Sequence, residues 1–452
     1  MNHVEPLDSY LQLLEYCQAH YARETFMTDA SGVWTYADFM RLVREYAALL
    51  LHAPQTYVVP ASASQIRYAA AYFAIVLTGH IAVLQPGGHE LPSSLQGALR
   101  LTDEFLEQAA GQAEAPALDS LRPLDPGVCC TIAFSSGTSS AAKGIMLSQR
   151  NLLQDAQYGM RLHRYWQGER LVHILPYWHL FGVVADLLGP MQAGCHLYMA
   201  QSPLHFFPAL RSFRPHSVNI PPALADTLCQ AIDAAPCPEQ VTGGCLEKLM
   251  CAGAPLKRQT LERLLQLGVR PCLAYGLTEC SPCVSLTSEE DVIPGSSGRP
   301  LGCVEVRIAE DGEILVRGST VMLGYYQDPT ATAMRIVDGW LHTGDLGRLS
   351  GEGHLFVTGR KSSMLVFSSG VKCVPEPIEA RIARLPGVRE CLLGCSEDGQ
   401  HAALTLVTQE EAFTAHEALE GIMRQASLVP YTLSLRQEPL ERNSMGKLVR
   451  KQ

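Results

Sequence analysis

Apolar and polar positions follow two alternating periods over the first third of the chain. Tyr10–Ala22 and Thr35–Leu51 place apolar residues at helical spacing, and Thr35 stands where a helix N-cap is expected. Tyr57–Pro60 and Ile81–Gln85 are apolar runs of strand length, with the helical stretch Ser64–Leu77 between them. Strand, helix and strand in that order predict a parallel α/β layer. Residues 108–126, rich in Ala, Pro and Asp, read as a connector. Cys129–Phe134 and Ile145–Leu147 read as strands, and Asn151 is placed to cap a helix. Strands and helices then alternate through Leu171–Leu175, Val184–Met191, His196–Met199, Ala223–Ala234, Lys248–Cys251, Lys257–Leu267 and Cys272–Tyr275.

The pattern changes near Gly298. Val304–Ala309, Glu313–Arg317 and Gly353–Val357 are short, alternating and separated by Gly/Asp turns. They predict a small antiparallel barrel or sheet at about 298–358. From Gly359-Arg360 onward about 90 residues mix strand and helix patterns, enough for a small α+β domain.

Composition sharpens this picture. A chain of 452 residues exceeds one ordinary core, so two or more domains are expected. The balance of 47% hydrophobic and 18% charged residues is that of a globular protein. A net charge of −10 argues against a nucleic-acid or anionic-membrane partner, so a small anionic ligand needs a local basic site. Tyr72–Leu84 is broken by Gly79 and His80 and falls short of the roughly 18 residues of a membrane span. Fifteen scattered cysteines, and an N-terminus MNHVEPLDSY without a charged-then-apolar signal, suggest reduced thiols in a cytoplasmic protein. The CxxC at Cys280–Cys283 lacks a second pair or nearby histidines and is a weak metal signal.

The candidate chemistry concentrates in Thr131–Gly144, TIAFSSGTSSAAKG. A strand that breaks into serine, threonine and glycine and ends in a lysine offers N–H groups, hydroxyls and a point charge to an anion. Those are the means of holding a polyphosphate. Gly137 and Lys143 have the spacing of the G-x-x-x-x-G-K-S/T loop, but Ala142 replaces its second glycine and Gly144 its Mg²⁺-binding hydroxyl. A strand, not a helix, follows, so phosphate is held differently here.

Four later stretches accompany the loop: Tyr275-Gly276-Leu277-Thr278-Glu279; HTGDLG within Trp340–Gly347; GRKSSMLVFSSGVKCVPEPIE over Gly359–Glu379; and LERNSMGKLVR over Leu440–Arg450. In this order the five stretches resemble the adenylate-forming superfamily of acyl-CoA synthetases, aryl-CoA ligases, luciferases and peptide-synthetase adenylation domains. The likeness runs from about Gly127 to the C-terminus, with a weaker match over Trp34–Gln85. It implies an α/β fold. A large N-terminal domain, residues 1–360, would hold doubly wound mixed sheets and the small β-barrel subdomain. A small mobile α+β C-terminal domain, residues 361–452, would follow as a lid.

The resemblance also implies roles. Ser135, Ser136, Gly137, Thr138 and Lys143 would cradle the β- and γ-phosphates of ATP. Tyr275 would stack on adenine, with Gly253, Ala254 and Pro255 lining the pocket and Gly276 and Thr278 in the same nucleotide site. Thr138 and Glu279 would contact Mg²⁺, a hard ion suited to hydroxyl and carboxylate oxygens. Asp345 would accept hydrogen bonds from the ribose hydroxyls, and Arg360 would contact ribose and phosphate. Lys447 would bridge the α-phosphate and the substrate carboxylate, with His179 beside the α-phosphate. Ser362 would be the hinge of the lid, and Ser369 and Gly370 would border the passage of the thiol arm.

The implied reaction joins a carboxylic acid to the α-phosphate of ATP and releases pyrophosphate. The acyl group then passes to the phosphopantetheine thiol of CoA or of an acyl carrier protein. LPYWHLFG, Leu175–Gly182, borders the carboxylate site in the family and is apolar except for His179; Asp186 lies further on, in a helical stretch. An amino-acid ammonium left unpaired there would be costly, so a plain, fatty acid is favoured, with an aryl acid as the alternative. Ser140, Ala142 and Ser362 stand where the family has Gly, Pro and a hinge Asp or Lys. They motivate a second reading, a non-catalytic homologue that binds an acyl or adenylate ligand. The short region before the glycine loop suggests a compact enzyme that serves a carrier protein. No nucleic-acid partner and no integral membrane association are expected.

Overall fold

The computed structural model describes residues 7–29, 32–85, 90–109, 116–118, 121, 124–134, 143–200, 202–288, 290–368, 371–396, 398, 400–408 and 413–441. Two mixed sheets dominate. One has six strands in the order Gly324–Tyr325, Gly144–Ser148, Cys129–Phe134, Ile81–Leu84, Tyr57–Pro60, Leu99–Leu101. Its last four strands run parallel, and the first two add an antiparallel edge. The other has nine strands in the order Arg299–Pro300, Cys283–Leu286, Arg270–Gly276, Lys248–Cys251, Ser217–Ile220, Arg170–His173, His196–Met199, Thr25–Asp29, Gly32–Thr35. The run from Arg270–Gly276 to Thr25–Asp29 is parallel, and antiparallel strands close both ends. Between strands of the six-stranded sheet, helix Gln65–Leu77 buries every residue except Gln65 and Arg67, as expected of a helix that is apolar all round.

Helix starts follow local chemistry. Ser9, Thr35 and Ser148 each close a capping box. Ser148, not Asn151, caps Gln149–His163. Ser148 Oγ accepts from the Asn151 N–H at 3.1 Å, and Asn151 Oδ1 accepts from the Ser148 N–H at 2.9 Å. Asn151 Nδ2 then donates to the carbonyls of Ser319 and Val321 at 2.6 and 3.1 Å. The expected helix at Val184–Met191 is continuous with neighbouring turns: α over Leu180–Val183, a wider π turn over Val184–Leu188, and α over Gly189–Ala193.

A third sheet has the order Val304–Ile308, Glu313–Gly318, Trp340–Leu349, Ile336–Val337, with Leu355–Arg360 also paired to Trp340–Leu349. It is the small β element expected at about 298–358. The chain divides into two compact units: Met1–Val306, Val316–Leu341 and Gly351–Leu355 form one, and Arg307–Leu315, His342–Ser350 and Phe356–Gln452 form the other. Both large sheets lie in the first unit. In the second, helices Pro375–Ile382 and His416–Gln425 accompany the strands Val388–Cys395, Ala402–Thr408 and Tyr431–Arg436 around Ile382, Leu393, Leu404, Leu419 and Met423. No described helix is long and apolar enough to cross a membrane.

Candidate active site

Strands Lys248–Cys251 and Arg270–Gly276 are parallel neighbours, so the segments that follow them emerge at one edge of the sheet. In open α/β sheets the crevice beyond the carboxyl ends of strands is where ligands bind. Gly253, Ala254 and Pro255 form an exposed turn there, with Gly253 at φ +87°. Tyr275 is half-buried and pairs with Ser285, and Gly276 pairs with Cys283. Only glycine fits at 276, because a Cβ would overlap the carbonyl of Pro282. The chain then makes the single turn Thr278–Cys280, in which Thr278 is half-buried and Glu279 buried.

Glu279 is held from a segment that no local pattern singles out. Its Oε1 accepts from the Tyr325 hydroxyl at 2.8 Å and lies 3.6 Å from Arg335 Nη2. Its backbone carbonyl accepts from the Met322 N–H at 2.9 Å, tying the two segments together. No described residue donates to Oε2. Burial pushes the Tyr325 hydroxyl above its ordinary range, and the charge of Glu279 adds to the rise. Tyr325 belongs to the short strand paired with Gly144–Ser148, opposite Ile145. That pairing brings it to the end of the glycine-rich loop. Lys143 Nζ lies 4.9 Å above the Tyr325 ring and 3.6 Å from Asp328 Oδ2. Lys143 and Glu279, distant in sequence, thus meet on two sides of one tyrosine, a cation over its face and a carboxylate at its hydroxyl. Asp328 also caps the helix Pro329–Arg335 that carries Arg335. Ser135, Ser136, Gly137, Thr138, Ser140, Ala142, Ser369, Gly370 and Lys447 lie outside the described residues.

In the Leu175–Gly182 stretch, His179 is half-buried and caps Leu180–Val183, its Nδ1 accepting from the Phe181 N–H at 3.3 Å. Tyr177 is buried and stacks on His173 with ring centroids 4.1 Å apart. His173 Nδ1 lies 2.8 Å from Asp186 Oδ2, and Asn219 Nδ2 donates to Asp186 Oδ1 at 2.6 Å. Both oxygens of Asp186 are therefore engaged in the core.

The second unit brings Asp345 and Arg360 together. Asp345 is buried, and its Oδ1 lies 2.9 Å from Nε of the exposed Arg360. The Asp345 N–H donates to Thr343 Oγ1 at 3.1 Å, and that hydroxyl donates to the Ile314 carbonyl at 2.7 Å. Lys361, the next residue, reaches Asp311 at 2.7 Å and Glu313 at 2.9 Å. Burial would raise the Glu313 carboxyl, but hydrogen bonds from Lys361, His342 and the Gly344 N–H outweigh it and hold the group below its ordinary range. Ser362 is exposed in the single turn Lys361–Ser363.

Residues 89–326 match the family model described as AMP-binding enzyme. Over 296 residues the chain is 32% identical to a methyl-dioxo-octahydroindenyl propanoyl:CoA ligase of Mycobacterium tuberculosis, covering 64% of this chain and 57% of that protein. Over 341 residues it is 30% identical to a long-chain-fatty-acid–CoA ligase of Escherichia coli, covering 71% and 60%. The matched part thus spans less than two thirds of the length of these relatives. The fold is also that of ATP-bound MatB from Rhodopseudomonas palustris, with a TM-score of 0.83 at 20% identity over 96% of this chain and 97% of that one.

Proposed function

The chain belongs to the AMP-binding enzyme family, and we propose that it is an acid–CoA ligase. It would join a carboxylic acid to the α-phosphate of ATP, release pyrophosphate, and pass the acyl group to the thiol of CoA. The observation that carries this proposal is the meeting of Lys143 and Glu279 across Tyr325. A polyphosphate needs both a fixed cation and a carboxylate for its counter-ion. Glu279, with Oε2 unclaimed among the described residues, fits a hard divalent ion; Thr138 is the second assigned ligand. Mg²⁺, when bound, supplies charge neutralisation on the phosphates.

The other roles divide along the two units. Tyr275 stacks on adenine, with Gly253, Ala254, Pro255, Gly276 and Thr278 around it. Asp345 accepts from the ribose hydroxyls, and Arg360, 2.9 Å from that carboxylate, contacts ribose and phosphate. His179 stands beside the α-phosphate. Residues 361–452 act as a lid that turns at Ser362, presenting Lys447 to the α-phosphate for the first step and the Ser369-Gly370 turn to the thiol arm for the second.

The engagement of both Asp186 oxygens supports an acid without an ammonium group, since that carboxylate is not left to pair one. The names of the two relatives, a fatty-acid and a propanoyl ligase, support the same class, and a fatty acid is the leading substrate. An aryl acid is the alternative, and a holo acyl carrier protein the alternative acceptor. Fifteen cysteines held as thiols support a reducing, cytoplasmic setting. The test is to incubate the chain with ATP, a fatty acid and either CoA or holo carrier protein. AMP and acyl-CoA in equal amounts are expected; ADP as product, or no thioester on either acceptor, would sink the proposal.

A further inference from the structure

Arg335 has no part in the roles above. It ends the helix Pro329–Arg335, and its guanidinium approaches the same carboxylate oxygen that Tyr325 binds, Oε1 of Glu279. The glutamate assigned to the cation is therefore already paired with a fixed positive charge, while no described residue donates to its other oxygen. We propose that Arg335 is a positioning residue that makes cation entry at Glu279 depend on bound nucleotide; this rests on the ligase proposal above. Without nucleotide, the guanidinium balances the charge of Glu279 and repels a divalent ion placed at Oε2. A polyphosphate arriving on the Lys143 side brings several negative charges and restores net attraction, so cation and nucleotide load together. Tyr325 fixes the rotation of the carboxylate while this happens.

The test measures Mn²⁺ binding by electron paramagnetic resonance, with the full chain, without acid substrate, and with or without a non-hydrolysable ATP analogue. Wild type is expected to bind Mn²⁺ weakly alone and much more tightly with the analogue. Arg335→Gln should bind Mn²⁺ at least about tenfold more tightly than wild type in the absence of nucleotide, within the usual range of coupling between sites. Arg335→Lys keeps the charge and should stay like wild type. Arg335→Met, which keeps the stem and loses the charge, should repeat the Gln result and stands in if that variant does not fold. Charge-removing variants that bind free Mn²⁺ no better than wild type, while nucleotide-dependent binding is normal, would overturn this inference alone. A wild type that binds no Mn²⁺ with the nucleotide analogue would overturn the ligase proposal, and this inference with it.

Discussion

Lys248 and His196 show how a buried charge or ring is held by specific neighbours. Lys248 Nζ reaches Glu169 at 2.9 Å and the carbonyls of His163 and Arg164 at 3.1 Å each. Burial pushes Glu169 up, and Lys248 opposes the rise. Among the described residues His196 is partnered by the neutral Thr28 Oγ1 at 2.8 Å, and burial, helped by the charge of Arg170, lowers its pKa from 6.5 to about 4. Its folded pKa lies below the unfolded one, so the unfolded chain takes up the proton first. Stability is therefore expected to fall as pH drops from about 6.5 to about 4, and the contribution to level off below that. In thermal melts between pH 7 and pH 5, His196→Gln should lose clearly less than wild type; equal losses would mean that His196 does not carry this dependence. His163 is shifted in the same direction by burial and should behave alike. The site residues differ in how far sequence exposes them. As candidates, Lys143, Glu279, Asp345 and Arg360 were visible in the sequence because each sits inside a short motif and the motifs come in order. Tyr325 and Arg335 were not, since their chemistry arises only when the strand at 324–325 pairs beside Gly144–Ser148.

Among the elements, the alternation of strands and helices was legible wherever the apolar period was clean, as in Gln65–Leu77 and Lys248–Cys251. Ser217–Ile220, at the centre of the nine-stranded sheet, escaped notice. All four of its residues are buried, so a parallel inner strand shows no alternation, and Ser217 and Asn219 disguise its apolar character. Asn219 Nδ2 is satisfied from outside the strand, by Asp186 and by the hydroxyl of Tyr165 at 2.9 Å. The start of Gln149–His163 was misplaced by one turn for a similar reason. Ser148 and Asn151 are both good caps, and the carbonyls of Ser319 and Val321 decide which role each takes. The strand pair Arg270–Gly276 and Cys283–Leu286 gives the sharpest prediction at this scale. Gly276→Ala must push its Cβ into the Pro282 carbonyl and so part the two strands. The expected cost is on the order of 1–3 kcal/mol of stability, as for other overpacked sites. Loss of ATP binding should accompany it, because Tyr275 and Glu279 flank the displaced bond. Urea unfolding and nucleotide titration check both effects, and a variant with wild-type stability would contradict the close approach.

On the scale of the whole molecule, the α/β class and the mixed sheets were legible from the order of elements, whereas the compact units were less so. The second unit collects 307–315 and 342–350 before taking up the chain from 356 onward, and composition leaves no mark of such returns. Two half-reactions at one adenylate ask for different groups, first a cation beside the attacking carboxylate and then an open path for a thiol. The proposed lid, turning at Ser362, would meet both needs. Lys447→Ala should nearly abolish adenylate formation yet spare thioester formation from supplied acyl-AMP. Ser362→Pro should do the reverse, because proline fixes φ where the hinge must turn. Measured separately, equal losses in both half-reactions for both variants would rule the lid out. The central claim is that this chain activates a carboxylic acid as its adenylate. Acid-dependent exchange of labelled pyrophosphate into ATP, across a panel of fatty, aryl and α-amino acids and without any thiol, tests it most directly. Exchange with fatty acids, or with aryl acids, is expected, and none with amino acids. No exchange with any acid, or exchange with α-amino acids alone, would contradict it.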